Sequence, residues 1–360
     1  MRVGVDGRSL VGGAGRGVAH YTAALLGALA ALEPTDEWRV LLPRGPVGTL
    51  PAGLAPVRSP WPGRVLYGSA ALAGRPRLDR LLGGGLDVVW APAPAPLALS
   101  PGVPLVLTVH DRSWEERPQD FTRYERAWHR LARPRRLARR AAEVICLTET
   151  GRADLVASWG LPAARVHAVP SAPAVRAPAE AGDGEAPAAA PYLLFVGALE
   201  PRKAPELLVA AHAAARARGL AAELWLAGEG RLGPVLDGPG VRRLGHVPDA
   251  RLPALYRGAL ALVLPSHLEG FGLPPVEALA AGTPVVASDL PVLREVLSSG
   301  GALWVAPGDP AALAAALLRL EREPGLRERL VAGGRRAVGR LSWEDTARRT
   351  RAVLERAAGA

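Results

Sequence analysis

The stretch LALVLPSHLEGFGLPPVEALAAGTPVVASD, residues 260–289, decides the fold of the chain. It opens with a short, partly β-branched apolar run, which is typical of a strand buried within a parallel sheet. A glycine loop follows, and Pro274 and Pro275 then fit the start of a helix, where a missing N–H costs least. Residues 283–288 form a second apolar run. The stretch therefore predicts a strand, a glycine loop, a short helix ending near Gly282, and another strand.

Two glutamates lie in this stretch, Glu269 in the loop and Glu277, which the pattern places in the first turn of the helix. Glycines and prolines between them exclude one continuous helix, so both carboxylates can face one cleft at the carboxyl end of a strand. Free N–H groups there favour anionic or hydroxyl-rich ligands, and a carboxylate suits a vicinal diol of ribose or hexose. The residues alone leave an alternative open, in which Glu277 complements the helix dipole and Glu269 is solvated.

Length and composition bound the class of protein. A chain of 360 residues is too long for one ordinary core and predicts two domains. Hydrophobic residues make up 49% of the chain, which predicts a globular protein. The single cysteine, Cys146, lies in an apolar run, so we expect a buried, inert thiol. Residues 1–8 carry charge instead of a signal-peptide core, and no apolar run is long enough to span a bilayer, so we expect a cytoplasmic protein.

Short apolar strands alternate with helical patterns in both halves of the chain, which predicts two parallel sheets built from βαβ units. The strands predicted in the first half are residues 3–5, 39–42, 87–90, 105–109, 143–147 and 166–169. Those in the second half are residues 192–196, 223–227, 260–264, 283–287 and 303–305. We therefore expect a first domain over residues 1–172, a linker rich in alanine, proline and glycine over 173–190, and a second domain over 191–342.

The net charge of +10 suggests an anionic partner, such as a nucleotide, a nucleic acid or a membrane surface. Lys203 is the only lysine, so nearly all of the positive charge comes from arginine. Several arginines between residues 130 and 140 alternate with apolar residues, a pattern that fits either a helix lying on anionic lipid or a solvated helix face. Because Trp128 is the one aromatic residue close to them for base stacking, nucleic acid is the weakest of these partners.

Candidate ligand residues also follow other predicted strands. Glycines including Gly17 lie between the first strand and a helix, where backbone N–H groups can approach phosphate, although such loops are often plain turns. His110 ends the strand at residues 105–109, as either a ligand-site residue or a hydrogen-bonded structural one. Arg202 and Lys203 follow the strand at residues 192–196, and two adjacent cations before a helix suit a diphosphate.

The segment EGFGLPPVEALAAGTPVVAS, residues 269–288, resembles the E-x7-E signature of retaining glycosyltransferases of family four. The resemblance implies an α/β chain with GT-B architecture, in which two Rossmann-like domains with parallel sheets face a central cleft. It also implies that Glu269 holds the donor sugar and that Glu277 binds the ribose of the nucleotide. Backbone N–H groups would help to hold the sugar, from Gly270, Phe271, Gly272 and Leu273.

Further segments resemble the same family. LTVHDRSWEERPQDF, residues 107–121, is similar to its T-x-H-D segment, which places His110 at the reaction centre. GRGVAHYTAALLGAL, residues 15–29, is similar to its first glycine loop and helix and places Gly17 beside the diphosphate. The closing residues 343–360 resemble a helix that crosses back onto the first domain.

Two segments of the second half complete the resemblance. GALEPRKAPELL, residues 197–208, is similar to the diphosphate-binding segment and assigns that role to Arg202 and Lys203. LGHVPDARLPALYRGA, residues 244–259, is similar to the segment that passes the nucleotide base, where His246 and Val247 offer mostly backbone contacts. Departures from the family occur at Ala198, where some relatives have arginine, and at residues 170–172, where Pro-Ser-Ala replaces Pro-Asn-Gly.

The resemblance implies a retaining transferase that moves a hexose from a nucleotide-diphosphate sugar to a glycan or lipid-linked acceptor. The EPRK-type segment favours mannose from GDP-mannose. No D-x-D motif occurs in a strand-end loop, so we expect no divalent metal and no cofactor, and the charge of the leaving diphosphate falls to Arg202, Lys203 and helix dipoles. The expected location is cytoplasmic, with peripheral contact on the inner face of the membrane as a further possibility.

Two other functions are weighed against this one. A non-catalytic partner of another transferase would bind the sugar nucleotide without turning it over. An NAD-dependent oxidoreductase is suggested by Gly228, Gly230 and Gly233, which spell G-x-G-x-x-G after a strand. Its context fails, because Pro234 and the glycine and proline that follow interrupt the long helix which that fingerprint requires.

Overall fold

The computed structural model describes residues 1–12, 16–48, 50–173, 191–298 and 300–359. The chain divides into two compact units, one formed by Met1–Ser171 with Ser342–Ala360 and the other by Ala172–Leu341. Nearly all of the predicted linker, residues 174–190, lies outside the described residues, as do Gly13 and Gly15 of the first glycine loop.

The first unit is built on a parallel sheet that has seven strands among the described residues, in the order β3-β2-β1-β4-β5-β6-β7. Val3 at its centre pairs with Trp38 on one side and Val88 on the other. The strands are β1 (Arg2–Asp6), β2 (Glu37–Arg44), β3 (Leu54–Pro62), β4 (Val88–Ala91), β5 (Leu105–Thr108), β6 (Glu143–Cys146) and β7 (Val166–Ala168).

Helices follow most strands of this sheet. They are α1 (Arg16–Leu32), α2 (Gly63–Ala73), α3 (Leu78–Leu81), α4 (Ser113–Glu116), α5 (Arg123–Ala132), α6 (Pro134–Arg140) and α7 (Glu149–Trp159). Thr122 and Glu125 form a capping box that starts α5. Arg133 has a positive φ of 46° and Pro134 begins the next helix, so the arginine-rich stretch is two helices. Cys146 is buried, as predicted.

The second unit contains a parallel sheet with six described strands, in the order β10-β9-β8-β11-β12-β13. They are β8 (Tyr192–Val196), β9 (Glu223–Ala227), β10 (Val241–Gly245), β11 (Ala261–Leu264), β12 (Val285–Ser288) and β13 (Leu303–Val305). Its helices are α8 (Pro205–Arg216), α9 (Leu252–Gly258), α10 (Leu273–Ala280), α11 (Pro291–Leu297), α12 (Pro310–Arg322) and α13 (Leu326–Val338).

The strands of the two sheets are connected in the same order. The chain runs from the first strand of each unit toward one edge and then returns to the other side of that strand, so the direction reverses between β1 and β4 and between β8 and β11. Ligands of open α/β sheets bind outside the carboxyl ends of the strands at such a reversal. The predicted α/β class with two parallel sheets is confirmed.

The last helix, α14 (Trp343–Ala358), belongs to the first unit. It packs against α1 and against β4, β5 and β6, with Val353, Leu354 and Ala357 buried. The Thr346 hydroxyl donates to the Pro170 carbonyl at 2.7 Å, and Arg351 Nε donates to Asp36 Oδ2 at 3.0 Å.

The sequence pattern missed two strands, β3 and β10, and both lie at an edge of their sheet. β3 contains three prolines and β10 contains two adjacent exposed arginines, so neither shows the continuous apolar run of a central strand. Across the described part of the chain, no helix is both long enough and apolar enough to cross a bilayer.

Candidate active site

The loop between β11 and α10 leaves a row of backbone donors open. Gly272 adopts a left-handed conformation with φ 88°, and a Cβ there would approach Leu293 Cδ2 to 2.5 Å, so only glycine fits. Within the described residues, the N–H groups of residues 270–273 donate to no protein acceptor. A helix start with unpaired N–H groups is a ready site for oxygen atoms of a ligand. The Phe271 side chain is buried in the core of the second unit, so only its backbone N–H belongs to this row of open donors.

Glu269 in this loop forms an ion pair with Lys203 from the loop after β8. Lys203 Nζ lies 2.6 Å from Glu269 Oε1, and the two side chains are 12% and 5% exposed. Because β8 and β11 are adjacent strands, the pair lies at the reversal point of the second sheet. It brings together two residues that are 66 positions apart in sequence, both of which the sequence marked as ligand residues.

Arg202 stands beside this pair. Its carbonyl accepts a hydrogen bond from the His267 N–H at 3.0 Å, which ties the loops after β8 and β11 together. Its guanidinium is half-buried, and it has no ion pair or hydrogen-bond acceptor in the part of the chain that the structure describes. A half-buried cation with open donors suits an anionic ligand group.

Glu277 is the fifth residue of α10, so its predicted position in the first turn was wrong. The helix begins at Leu273, ahead of both prolines, which moves Glu277 into the next turn. There it is buried, and Tyr256 of α9 donates its hydroxyl to Glu277 Oε2 at 2.8 Å. Burial and the neighbouring Glu277 carboxylate raise the pKa of Tyr256 well above its usual value, so the hydroxyl stays protonated and donates.

If Glu277 binds ribose, as the family resemblance implies, we expect Tyr256→Phe to weaken nucleotide binding about tenfold, or ~1.4 kcal/mol, because Glu277 loses a hydrogen bond that fixes its carboxylate. KM should rise more than kcat falls. Tyr192→Phe is the matched control, since that buried hydroxyl donates to the Leu255 carbonyl at 2.7 Å and does not touch Glu277. Calorimetric titration of both variants with nucleoside diphosphate makes the comparison. Equal losses in the two variants would mean that Tyr256 is a core residue only.

The glycines of the G-x-G-x-x-G string have a packing role. A Cβ on Gly228 would lie 1.9 Å from the Gly197 carbonyl oxygen, and one on Gly230 would lie 2.4 Å from that of Leu199. The string leads into a short 3-10 turn, Gly233–Val235, where a dinucleotide fold has a long helix. These glycines therefore let two loop backbones touch, and the structure gives no support to the dinucleotide alternative.

The loop after β10 carries His246 and Val247, at the same carboxyl edge of the sheet. Gly245 has φ 64° and its carbonyl accepts from the Gly228 N–H at 2.8 Å, which fixes the start of this loop against the loop after β9. The His246 side chain is exposed and Val247 is half-buried.

His110 and Gly17 lie in the first unit. His110 follows β5, and its Nε2 donates to the Pro92 carbonyl at 2.8 Å, with the ring edge-on to Tyr21 at 4.9 Å. Burial lowers the pKa of His110, against smaller opposing effects of Pro92 and Asp111, so the ring is neutral near pH 7 and Nδ1 carries the lone pair. Gly17 is exposed near the start of α1, and an added Cβ would touch nothing within 4 Å.

The second unit thus brings Lys203, Glu269 and the backbone of Arg202 together, and joins Glu277 to Tyr256. Sequence reasoning missed Tyr256, whose hydroxyl is hidden in an apolar helical pattern. In the first unit, sequence reasoning missed Arg8 and the rings of Tyr67 and Trp128 that lie against its guanidinium. Among the residues that the structure describes, no group of three or more His, Cys, Asp or Glu side chains is placed to hold a metal ion.

Comparison with known protein families gives two adjacent matches. Residues 15–172 match the family described as Glycosyltransferase Family 4. Residues 179–337 match the family described as Glycosyl transferases group 1. The junction between the two matches falls close to the division between the two structural units.

Curated relatives match parts of the chain. A D-inositol 3-phosphate glycosyltransferase of Salinispora arenicola is 32% identical over 68% of this chain and 62% of its own length. A phosphatidyl-myo-inositol mannosyltransferase of Mycobacterium leprae is 48% identical over 32% of this chain and 31% of its own length. The chain therefore spans less than two thirds of the length of these relatives.

Solved structures match nearly the whole chain at low identity. Sucrose-phosphate synthase from Thermosynechococcus elongatus has a TM-score of 0.76 at 21% identity, covering 99% of this chain and 98% of its own. Anabaena HepE, solved in complex with UDP and glucose, has a TM-score of 0.71 at 17% identity, covering 99% of both chains. At these identities the likeness establishes the fold.

Proposed function

The chain belongs to the group 1 glycosyltransferases of family four, and on that premise we propose that it transfers a hexose from a nucleotide-diphosphate sugar to a glycan or lipid-linked acceptor. The observation that carries the proposal is the buried Lys203–Glu269 pair beside the open N–H groups of residues 270–273. It combines a cation for a diphosphate, a carboxylate for sugar hydroxyls, and donors for oxygen, all at the reversal point of one sheet.

We assign the donor to the second unit. Arg202 and Lys203 would neutralise the diphosphate, and Glu269 would hold the sugar together with Gly270, Phe271, Gly272 and Leu273 through their N–H groups. Glu277 would bind the ribose diol while Tyr256 fixes its carboxylate. The backbone of His246 and Val247 would contact the nucleotide base. The open guanidinium of Arg202 and the open N–H row support these roles.

We assign the acceptor to the first unit, with His110 at the reaction centre and Gly17 beside the diphosphate. The lack of any packing neighbour for a Cβ at Gly17 supports a position that a ligand approaches. The neutral His110 ring keeps Nδ1 as a hydrogen-bond acceptor for a hydroxyl.

We propose that transfer proceeds with retention and without a divalent metal. The acceptor oxygen would bond to the anomeric carbon on the face from which the diphosphate leaves, as the bond from that carbon to the phosphate oxygen breaks and the proton of the acceptor hydroxyl passes to the departing phosphate oxygen. Negative charge would then grow on the departing diphosphate, and Lys203, Arg202 and the N-terminus of α10 would stabilise it. GDP-mannose is the donor we favour, because a mannosyltransferase is among the relatives.

The test is a donor screen on the purified chain, in which GDP-, UDP-, ADP- and dTDP-hexoses are incubated without acceptor and slow hydrolysis is measured. We expect GDP-mannose to be hydrolysed fastest. Faster hydrolysis of a UDP-sugar would replace the donor and keep the reaction. Tight nucleotide binding with no hydrolysis of any donor, and no transfer to lipid or glycan extracts, would favour the non-catalytic alternative.

We also propose peripheral contact of the first unit with an anionic membrane surface. Arg130, Arg133, Arg135 and Arg136 of α5, α6 and their junction are exposed, and none forms an ion pair among the described residues. Exposed apolar side chains lie on the neighbouring elements, namely Trp61, Val65, Leu72 and Tyr124. Arg64 of α2 stacks on Tyr124 of α5, which places the two helices side by side. A basic and apolar surface of this kind suits anionic headgroups.

We expect changing these four arginines to glutamine to weaken binding to phosphatidylglycerol vesicles by on the order of a hundredfold or more, at about 1 kcal/mol for each charge. Co-sedimentation with the vesicles measures it, and phosphatidylcholine vesicles should bind neither protein. The matched control replaces four exposed arginines of the second unit, namely Arg218, Arg251, Arg257 and Arg336. If both quadruple variants lose the same affinity, net charge and not this surface is responsible.

A further inference from the structure

A second set of side chains lies at the reversal point of the first sheet, around Arg8. This residue follows β1 after Gly7, and β1 and β4 are the strands between which the chain reverses. Arg8 Nη2 donates to the carbonyl of Pro94, which follows β4, at 3.2 Å. The guanidinium therefore lies at the carboxyl edge of the sheet, where ligands of such folds bind.

Aromatic rings hold the Arg8 guanidinium in place. Its carbon lies 5.4 Å from the ring centroid of Tyr67 on α2 and 5.4 Å from that of Trp128 on α5. The two rings meet edge to face at 6.3 Å. Cation–π contacts of this geometry restrict the arginine side chain before any ligand arrives. Less conformational entropy is therefore lost when a ligand binds.

The charge of Arg8 is only partly balanced. The nearest carboxylate is that of Asp6, and its Oδ2 is 4.0 Å from Arg8 Nε, beyond hydrogen-bond reach. Asp6 Oδ1 already accepts from the Tyr67 hydroxyl and from the backbone N–H of Arg8. Of the five N–H hydrogens on the guanidinium, the one given to Pro94 is the hydrogen bond present in the described structure. The side chain is 21% exposed, so open donors reach solvent.

Other charged groups near Arg8 are few. Burial has the largest effect on the pKa of the partly buried His129 and lowers it, while the charges of Asp111 and Glu125 raise it and that of Arg8 lowers it. The Asp111 carboxylate accepts from the backbone and hydroxyl of Ser113 at 2.9 and 2.7 Å. The cluster thus presents one fixed guanidinium fork, a neutral imidazole and carboxylates that are already engaged.

We propose that Arg8 is an anion-binding subsite that takes a phosphate ester group of the acceptor. A planar fork with parallel N–H donors matches phosphate oxygens bidentately, and this fork is held between two rings with most donors unused. The inference rests on the proposed function insofar as the phosphate belongs to the acceptor. The same chemistry comes from a soluble sugar or polyol phosphate or from the phosphodiester of a lipid headgroup.

The test measures binding to the full chain without any donor, so its outcome is independent of turnover in the donor screen. Glycerol 3-phosphate is the soluble probe, and short-chain phosphatidylinositol below its micelle concentration is the lipid probe. We expect Arg8→Gln to weaken binding of the probe at least tenfold, and Arg8→Lys to weaken it less. The control is Arg242→Gln, which removes another arginine stacked on a ring, at 4.9 Å from Trp225 in the second unit, and should bind as wild type does.

Two measurements on the wild-type chain test the proposal even if a variant folds poorly. Since the Trp128 ring lies against the guanidinium, titrating the wild-type chain with either probe should change its tryptophan fluorescence, and Trp128→Phe should remove the change. Preference for one probe identifies the source of the phosphate. Failure of both probes to bind the wild-type chain at millimolar concentration, or equal binding by Arg8→Gln, would overturn the subsite.

Discussion

Replacing Glu269 with glutamine is expected to lower kcat/KM for the donor by about a hundredfold, or ~2.7 kcal/mol of transition-state stabilisation. The Glu269 side chain is 5% exposed and its carboxylate lies 2.6 Å from Lys203 Nζ. The carboxylate is therefore held in one place, where little water screens its charge. Glutamine keeps the shape but loses the charge that pairs with the ammonium and that, in the function we propose, holds the hydroxyls of the sugar. Steady-state kinetics on the identified donor measure the effect.

A matched control for Glu269→Gln is Glu206→Gln, an exposed glutamate in the first turn of α8 in the same unit. That variant should stay within twofold of wild type. Thermal melting of both proteins separates lost activity from lost fold. Glu269→Gln that is as active as Glu206→Gln would remove Glu269 from the catalytic set.

The second large effect is expected at Lys203, the only lysine among 44 basic residues. Lys203→Arg should keep the fold but lower kcat/KM by about ten- to a hundredfold, or ~1.4 to 2.7 kcal/mol, and Lys203→Ala should cost more. The ammonium is 12% exposed and pressed against Glu269, and a wide planar guanidinium needs more room than this compact charge. Kinetics of Lys203→Arg within twofold of wild type would show that the position is ordinary.

A double-mutant cycle separates the structural and catalytic roles of this pair. Removing one partner leaves a buried charge, which costs about 3 kcal/mol or more in the free energy of unfolding. The double variant Lys203→Met with Glu269→Gln has no unpaired charge, so its stability should recover most of that loss. Its activity should not recover, because the function we propose makes Lys203 the partner of the diphosphate and Glu269 the partner of the sugar. Joint recovery of stability and turnover would mean that the pair only holds the loops together.

The central strands of both sheets were predictable because a strand that is buried on both faces needs apolar side chains at nearly every position, which gives a continuous apolar run. β3 with its three prolines and β10 with its two adjacent exposed arginines carry no such run and were missed, whereas the other two edge strands, β7 and β13, were predicted. The start of α10 lies one residue before the predicted one, because Leu273 precedes the two prolines that marked it, and this shift moves Glu277 out of the first turn.

Within the candidate site, residues next to strand ends were predictable, whereas their partners were not. Lys203 and Glu269 each follow a strand, but their contact depends on which strands are neighbours in the sheet. Tyr256 reaches Glu277 only because α9 and α10 pack together, and no local pattern records that packing. Arg8 remained unnoticed because its rings come from α2 and α5, far away in sequence.

The position of α14 has a consequence for biosynthesis. The first unit is made of two segments that flank the second, and the closing segment buries Val353 and Leu354 against α1 and the middle of the first sheet. A ribosome releases the chain from its amino end, so the whole second unit emerges while that side of the first sheet still lacks its covering helix. The first unit is therefore completed only after the second has been translated, and its exposed apolar face must stay out of aggregates until α14 has been made.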